Sequence, residues 1–289
     1  MKRAVISSLW CLAILLLGEH LRAAQPDPPA LPEILIGLDR ASRLYLDTAL
    51  HFTCNETITV PFEGAHRVGR FQYIFVHGPD GAFLDYRMPR GKGVRQEADP
   101  GKLGFQSYLQ RAYFWVLVFN SARQRHFHYT ALGKGEALGV MAQLIRFEPI
   151  PPYREAINDW FGTAWVDPQT FQILRVQAMK ADKHETWERM RRDLELRTAG
   201  DEESGRYYEI QTATTEFGMV KNGMRFPSRA EVVSSLYYFS KSWPDQAVLA
   251  REERTVQVYK GYRFFGVRTK DEVRDLLHPL PVPVPPVDP

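Results

Sequence analysis

The chain has few side chains suited to catalysis or metal binding, and their spacing limits what each can do. His184-Glu185-Thr186-Trp187-Glu188 begins like a zinc-protease helix, but that motif needs a second histidine one turn later, where Glu188 stands. His126 and His128 share one face of a predicted strand without a third ligand at suitable spacing. We therefore predict no metal site and no cofactor.

Nucleophilic catalysis has no better support in the sequence. No Gly-x-Ser-x-Gly elbow occurs, and Ser107, Ser121, Ser204 and Ser228 have no histidine partner indicated by the local sequence. Cys54 follows an apolar aromatic residue at the end of a predicted helix, a setting typical of a buried and inert thiol. We expect no catalytic residue, and a secreted enzyme of unknown type is only the third interpretation of this chain.

The N-terminal segment has the pattern of a secretory signal peptide. Lys2 and Arg3 precede an apolar run, and small residues follow it, so we expect residues 1–24 to be removed by cleavage near Ala23 or Ala24. No later window has the roughly 20 apolar residues that a membrane helix needs. The sequence therefore predicts a periplasmic or secreted protein without a transmembrane anchor.

Charge and cysteine content narrow the range of partners. The whole-chain net charge of +3 owes much to the signal segment, so the mature chain would be close to neutral and would lack the basic footprint of a nucleic-acid binder. Cleavage would also leave Cys54 as the single cysteine, which excludes an intramolecular disulfide. We expect a monomer that does not bind nucleic acid and that depends on its core for stability.

Proline-rich segments mark the boundaries of the folded part. Residues 25–32 contain four prolines and residues 279–289 contain six, and such segments adopt extended structure that does not pair into a sheet. The sequence thus predicts a signal peptide over residues 1–24, a linker over 25–32, one β domain over 33–278 and a C-terminal tail over 279–289.

The first half of this domain combines one helix with strands. Apolar residues recur at steps of three and four over residues 33–52, which predicts an amphipathic helix. The period then changes to two, with Phe71, Tyr73 and Phe75 on one strand face, and a Gly-Pro-Asp-Gly turn leads to a second strand over residues 83–87.

A glycine- and proline-rich stretch over residues 88–101 predicts a loop or a mobile arm before the next pattern begins. Residues 103–122 place aromatic and aliphatic side chains at helical spacing, although residues 113–119 are continuously apolar and would also suit a buried strand. Between these two, we favour the helix.

The second half of the domain is mostly strand. Residues 161–178 predict a hairpin around Asp167-Pro168, since Pro168 restricts φ and Asp167 can bond the backbone two residues later. Long strands are predicted over residues 206–220, 225–239 and 249–267, with a turn at Asn222-Gly223. The charged residues 181–203 suit either an exposed strand with a loop or a short helix, and residues 271–277 suit a closing helix.

This order of elements over residues 33–277, with the hairpin at 162–176 and the paired strands around Asn222-Gly223, resembles the LolA-like superfamily of periplasmic lipoprotein carriers and sigma-factor regulators. The resemblance implies a mainly β (α+β) fold, an incomplete antiparallel β-barrel. In such a fold a strongly curved sheet wraps over an N-terminal amphipathic helix and an inserted helix. It also implies a hydrophobic groove for acyl chains and no catalytic residues. The chain departs from the carriers in its length, its charged segment at 181–203 and its proline-rich tail.

Aromatic residues spread over most elements are the remaining candidates for a binding site. In an incomplete barrel they would either fill the core or line an apolar cavity. The cavity candidates are Phe52, Phe71, Tyr73, Phe75, Tyr108, Trp115 and Phe119.

These observations predict a non-catalytic periplasmic binder or carrier of a lipid, an acyl chain or a lipoprotein. The alternative is an envelope protein-interaction or stress-sensing module with a solid core, whose partner is another envelope protein. Stiff proline-rich ends favour this alternative, because they lose little conformational entropy on docking.

Overall fold

The computed structural model describes residues 29–48, 51–77, 83–90, 99–105, 107–151, 160–196, 207–240 and 243–264. Within these ranges the chain is mainly β. Its strands are β1 (His51–Phe62), β2 (Ala65–His77), β3 (Phe83–Pro89), β4 (Phe127–Ala137), β5 (Val140–Pro149), β6 (Trp160–Val166), β7 (Ile173–Lys180), β8 (Tyr207–Glu216), β9 (Met219–Lys221), β10 (Met224–Phe226), β11 (Arg229–Ser240) and β12 (Trp243–Phe264). Its α-helices are α1 (Leu31–Thr48), α2 (Trp115–Val118), α3 (Ser121–Gln124) and α4 (Ala181–Leu196).

Ten of the described strands form one antiparallel sheet in the order β3-β2-β1-β12-β11-β8-β7-β6-β5-β4. The last described strand, β12, lies between β1 and β11, so the first and the last of the described strands are neighbours in the sheet. The edge strands β3 and β4 are not neighbours in this order, and the sheet does not close. The prediction of a mainly β protein with one large, unclosed antiparallel sheet is confirmed.

One face of the sheet carries the core. Phe52 of β1 pairs with Phe75 of β2, Ile145 of β5 pairs with Ala164 of β6, and all four side chains are fully buried. Paired residues of an antiparallel ladder point to the same side of the sheet. We call this side the inner face, because α1 and residues 109–119 pack against it in a single hydrophobic cluster.

The first helix is shorter than its periodicity predicts. α1 ends at Thr48 and β1 begins at His51, so Phe52 and Cys54 belong to a strand and not to a helix end. β1 is rich in β-branched residues, which favour strands, and it pairs with β2 on one side and β12 on the other. These two ladders override the helical spacing.

The prediction of one helix over residues 103–122 is wrong. We call residues 99–124 the cover segment; apart from residue 106, which is not described, it consists of 3₁₀ turns at Pro100–Leu103 and Ala112–Phe114 followed by the one-turn helices α2 and α3. Residues 112–119 are all buried, so this stretch has no solvent-facing side of the kind that an amphipathic helix presents. Tertiary contacts therefore decide its backbone.

The long strands predicted over residues 206–239 are interrupted. β9 and β10 form a separate two-stranded sheet around Asn222-Gly223, and both turn residues have positive φ, as the predicted turn requires. Phe217 and Phe226, which flank this hairpin, are buried in the core. Their packing keeps the hairpin separate from the main sheet. β12 is described to Phe264, and the predicted continuation to residue 267 lies outside the described residues.

The hairpin predicted around Asp167-Pro168 is confirmed by the pairing of β6 with β7. Asp167 Oδ1 accepts hydrogen bonds from the backbone N–H groups of Gln169 at 2.9 Å and Thr170 at 3.4 Å. Residues 181–196 of the charged segment form the helix α4. Of the two structures predicted for this segment, the helix is therefore the one observed there, and not the exposed strand with a loop.

Several predictions fall on residues outside the described ranges. The Gly-Pro-Asp-Gly turn, most of the arm over residues 88–101, residues 197–203 and the closing helix over residues 271–277 are among them. The signal peptide, most of the linker and the proline-rich tail also lie there. The division into these segments around one domain stays a prediction.

Candidate functional site

A cavity of about 210 Å³ lies between the cover segment and the inner face of the sheet. The cover segment forms one wall, and strands β6, β7, β8 and β11 form the other. The residues that line the cavity are Ser107, Tyr108, Leu109, Gln110, Arg111, Phe114, Trp115, Trp160, Lys180, Gln211, Ala213 and Val232.

The inner end of the cavity is apolar and closely packed. The rings of Trp115 and Trp160 meet edge to face, with centroids 4.9 Å apart and planes at 79°. Trp115 Nε1 donates a 2.8 Å hydrogen bond to Thr215 Oγ1, which satisfies the polar atom of the indole at a buried position. Ala213 and Val232 supply the buried floor. The apolar end is therefore preformed.

The rim of the cavity is polar and carries two cations. Lys180 is exposed, and its Nζ lies 5.7 Å from the ring centroid of Trp160. Arg111 is one-quarter exposed and contacts Asp85, with Nε to Oδ1 at 3.4 Å. Gln110 and Gln211 complete the rim. The cavity thus has an apolar interior and a cationic mouth, the arrangement that suits an amphiphilic ligand.

A buried ion pair lies in contact with the cover segment. Arg87 of β3 binds Glu56 of β1 through two contacts, Nε to Oε2 at 2.6 Å and Nη2 to Oε1 at 3.2 Å. Both side chains are almost completely buried. The guanidinium also contacts Asp85 at 3.2 Å and lies over the rings of Tyr73 and Tyr108 at 4.4 Å and 5.1 Å. Charge, hydrogen bonds and stacking together compensate the desolvation of Arg87.

This ion pair is linked to the backbone of the cover segment. Arg87 Nη2 donates to the carbonyl of Gln110 at 2.8 Å. Gln257 of β12 accepts from the N–H of Leu109 at 2.7 Å and donates to the carbonyl of Leu109 at 2.9 Å, and its Nε2 lies 2.9 Å from Glu56 Oε1. Residues 109–110 are therefore hydrogen-bonded to strands at both sides of β1, which holds the cavity wall in place.

The electrostatic surroundings explain the protonation state of this cluster. Burial alone would lower the pKa of Arg87, but Glu56 together with Tyr73 and Tyr259 offsets this, so the pKa of Arg87 lies well above its ordinary value. For Tyr73 and Tyr259, burial raises the pKa well above that of free tyrosine. Arg87 is thus charged and the two phenols are neutral at neutral pH.

A second, larger opening adjoins the first. Its volume is about 840 Å³, and it is lined by the β1–β2 turn region, by residues of β12 and by the cover segment. Ser107 lines both openings. In addition, Val232 of the first opening pairs directly across the ladder with Thr255 of the second. The two openings therefore follow one another along the inner face.

The predicted cavity aromatics do not all lie together. Tyr108 and Trp115 line the 210 Å³ cavity. Phe71 packs with Phe105 in a smaller cluster beside Tyr108. The other candidates pack in the main core and are not among the lining residues; they are Phe52, Tyr73, Phe75 and Phe119. Their role in ligand binding stays a prediction.

Sequence reasoning missed Trp160, Lys180 and Gln211, which supply the sheet side of the cavity. Trp160 and Lys180 are the outermost paired residues of the β6–β7 hairpin. The prediction of that hairpin places residues at its two ends opposite each other, so their proximity was accessible from the sequence. Their position beneath the cover segment was not.

The histidines and the cysteine with side chains suited to catalysis are not among the residues that line the 210 Å³ cavity. His184 of α4 stacks on Phe161, with ring centroids 3.7 Å apart, and His128 lies in the edge strand β4. Cys54 is buried on the inner face, and burial together with the nearby Glu56 carboxylate raises the pKa of its thiol. Among the described residues, no group of three or more histidine, cysteine, aspartate or glutamate side chains is placed to hold a metal ion.

In the part of the chain that the structure describes, none of the helices combines the length and the apolar content that crossing a bilayer requires.

Solved structures with a similar arrangement include proteins from three bacteria. A DUF1329 family protein from Desulfovibrio piger matches with a TM-score of 0.39 and 14% identity, over 80% of this chain and 92% of its own. A LolA superfamily protein from Nitrosomonas europaea matches with a TM-score of 0.37 and 12% identity, over 83% and 96%. A putative outer membrane lipoprotein-sorting protein domain from Vibrio parahaemolyticus matches with a TM-score of 0.37 and 9% identity, over 84% and 99%.

No protein-family model matches the sequence, and no curated protein matches it either. With TM-scores of 0.39 or less, the structural likenesses carry no argument about what this chain binds. The neighbours include a protein of the LolA superfamily, the superfamily that the order of helices and strands resembles.

Proposed function

We propose that the protein is a non-catalytic binder or carrier of a lipid or acyl chain in the bacterial periplasm. The observation that carries this proposal is the cavity beneath the cover segment, with its apolar end at Trp115 and Trp160 and its polar rim at Lys180 and Arg111. Pockets with mostly apolar walls and a few polar groups at defined places are typical of small-molecule sites.

The size of the cavity limits what it holds. Its 210 Å³ is below the range of about 300–1,000 Å³ that is usual for ligand pockets, so it suits one acyl chain or part of one. The adjoining 840 Å³ opening offers room for the rest of a larger ligand. Because Ser107 borders both openings, a ligand would pass from one to the other along the cover segment.

The location in the periplasm rests on the signal-peptide pattern of residues 1–24. The pattern comprises Lys2 and Arg3, the apolar run and the small residues Ala23 and Ala24. N-terminal sequencing of the protein purified from the envelope tests it. A mature N-terminus near residue 24 or 25 is expected.

Blocking the cavity tests the binding proposal more directly than emptying it. Trp115 is fully buried and hydrogen-bonded, so its removal would damage the core as well as the site. Gln211 is only partly buried and lies on the rim, so Gln211→Phe places a ring in the mouth of the cavity without leaving a hole. We expect Gln211→Phe to reduce binding of a fluorescent fatty-acid probe at least about tenfold, corresponding to about 1.4 kcal/mol.

Thr212→Phe is the matched control. Thr212 is the next residue of β8 and is also partly buried, but its side chain points to the opposite face of the sheet. This variant should bind the probe like the wild type, and circular dichroism should show both variants folded. Equal loss of binding in the two variants, or no binding by the wild type, would contradict the proposal. Mass spectrometry of protein from native envelope should also reveal a bound lipid.

The alternative is an envelope interaction or sensing module with a solid core. It is favoured by one observation, that Phe52, Phe75 and Phe119 are fully buried among other core residues and line neither opening. On this alternative, the fatty-acid probe would not bind. Chemical crosslinking in the envelope would then return one protein partner in stoichiometric amount.

A further inference from the structure

The two cations at the rim of the cavity differ in their surroundings. Arg111 contacts Asp85, which also contacts Arg87, and Arg87 is paired with Glu56. These two arginines and two carboxylates balance each other. The charge of Arg111 is thus already compensated within the protein.

Among the described residues, Lys180 has no such compensation. No carboxylate of the described residues lies within ion-pair distance of its Nζ, and its recorded neighbour is the ring of Trp160 at 5.7 Å. The nearest lysine in sequence, Lys183, is paired with Glu209 at 2.9 Å and does not line the cavity. Lys180 therefore contributes one uncompensated positive charge to the mouth of an apolar cavity.

The backbone around Lys180 adds to this charge. α4 begins at Ala181, so the positive end of the dipole of a 16-residue helix lies next to Lys180. Asp182 in the first turn of α4 partly offsets the dipole. Lys180 itself is held by its pairing with Trp160 at the end of the β6–β7 ladder, which restricts where its ammonium group can reach.

We propose that the ligand is a single-chain amphiphile with an anionic oxygen headgroup, a carboxylate or a phosphate, whose headgroup binds Lys180 while its chain enters toward Trp115. This proposal rests on the function proposed above and specifies the chemical class of its ligand. The volume of 210 Å³ favours one chain over two. The Trp160 ring lies beside Lys180 and begins the apolar wall. The site therefore offers a cation to the headgroup and an apolar surface to the chain.

Four probes with the same twelve-carbon chain separate the contribution of the headgroup from that of the chain. They are dodecanoate, dodecyl phosphate, dodecanol and dodecyltrimethylammonium, each used below its micelle-forming concentration. We expect the wild-type protein to bind the two anions about fivefold or more tighter than dodecanol, the effect of about 1 kcal/mol for a partly exposed charge pair. The cationic probe should bind most weakly. The ratio between the two anions distinguishes a carboxylate ligand from a phosphate ligand.

Two lysine variants identify the charge that matters. Lys180→Met keeps the length of an apolar side chain and removes the charge, so it should bring dodecanoate binding close to that of dodecanol and leave dodecanol binding unchanged. Lys134→Met is the matched control, because Lys134 is exposed on the edge strand β4 and does not line the cavity. Added salt should weaken dodecanoate binding to the wild type and have little effect on Lys180→Met.

The outcomes separate the two proposals. If dodecanol binds as tightly as dodecanoate, or if Lys180→Met weakens all four probes equally, the anionic-headgroup proposal is overturned while acyl-chain binding stands. If none of the four probes binds the wild type, the proposed function itself is overturned, and the headgroup proposal with it. A loss of anion binding that is confined to Lys180→Met supports both.

Discussion

At the scale of single residues, Arg87 joins three parts of the fold. It pairs with Glu56 of β1, two strands away in the sheet, stacks on Tyr73 of β2 and donates to the carbonyl of Gln110 in the cover segment. A buried charge of this kind is tolerated only while its partner is present, because the remaining charge would otherwise be left without compensation in a low-dielectric interior.

We therefore expect Arg87→Met to lower the free energy of unfolding by about 3–5 kcal/mol, since it leaves the Glu56 carboxylate buried and unpaired. The double variant Glu56→Gln with Arg87→Met should cost less than Arg87→Met alone. Urea denaturation followed by tryptophan fluorescence measures both.

Arg229→Met is the control for the loss of an arginine from an ion pair. Arg229 contacts Glu231 at 2.6 Å, but its side chain is 43% exposed, so its removal should cost no more than about 1 kcal/mol. An equal cost for Arg87→Met and Arg229→Met would show that the buried pair contributes no more to the free energy of unfolding than the exposed pair does.

At the scale of elements, α1 and the β6–β7 hairpin meet at a glycine. The ring of Phe171, in the turn of the hairpin, lies against Gly37 of α1, and a Cβ atom at residue 37 would overlap that ring. Phe171 has a φ of 53°, in the left-handed region, so its backbone has little freedom to move the ring away. The close approach of helix and turn thus depends on the absence of a side chain at residue 37.

Helix propensity and packing make opposite predictions for Gly37→Ala. Propensity favours alanine in a helix interior by about 1 kcal/mol, whereas overpacking costs about 1–3 kcal/mol. We expect packing to prevail and the variant to be less stable than the wild type in thermal unfolding. Ile36→Ala, at a position that is 62% exposed on the same helix, should change stability little. A stabilised Gly37→Ala variant would contradict the close contact with Phe171.

At the scale of the whole molecule, the described strands form a sheet with central strands that are paired on both sides and with two edge strands. Among these strands, β1, β12, β11 and β8 each have a neighbour on both sides, whereas β4 pairs only with β5. Residues 131–134 of β4 are exposed, and a β-bulge interrupts the pairing there. An edge strand of this kind has free backbone groups and fewer packing contacts.

Hydrogen exchange should reflect this arrangement. We expect the slowest amide exchange in β1, β11 and β12, and exchange in β4 that is faster by at least about two orders of magnitude at alternate residues, since every second amide of an edge strand faces solvent. Hydrogen exchange followed by NMR at single-residue resolution measures both regions in one experiment. Equal protection of β4 and β12 would indicate that another surface covers the β4 edge in solution.

Much of the fold was predictable because its signals are local. The two-residue alternation of Phe71, Tyr73 and Phe75 predicts β2, and Asp167 with Pro168 predicts the turn between β6 and β7; both features lie within a few residues of one another. The positive φ values at Asn222 and Gly223 follow from the residue types alone. The mainly β class and the amphipathic nature of α1 were determined in the same way.

The candidate site was not predictable, because its parts are brought together over long distances in the chain. Glu56 and Gln257 are hydrogen-bonded across a separation of 201 residues, and neither has a local pattern that indicates the other. Residues 112–119 of the cover segment are all buried, so contacts with the sheet override the helical spacing of their sequence. The cavity exists only because this segment lies above Trp160 and Lys180, and no local pattern determines that placement.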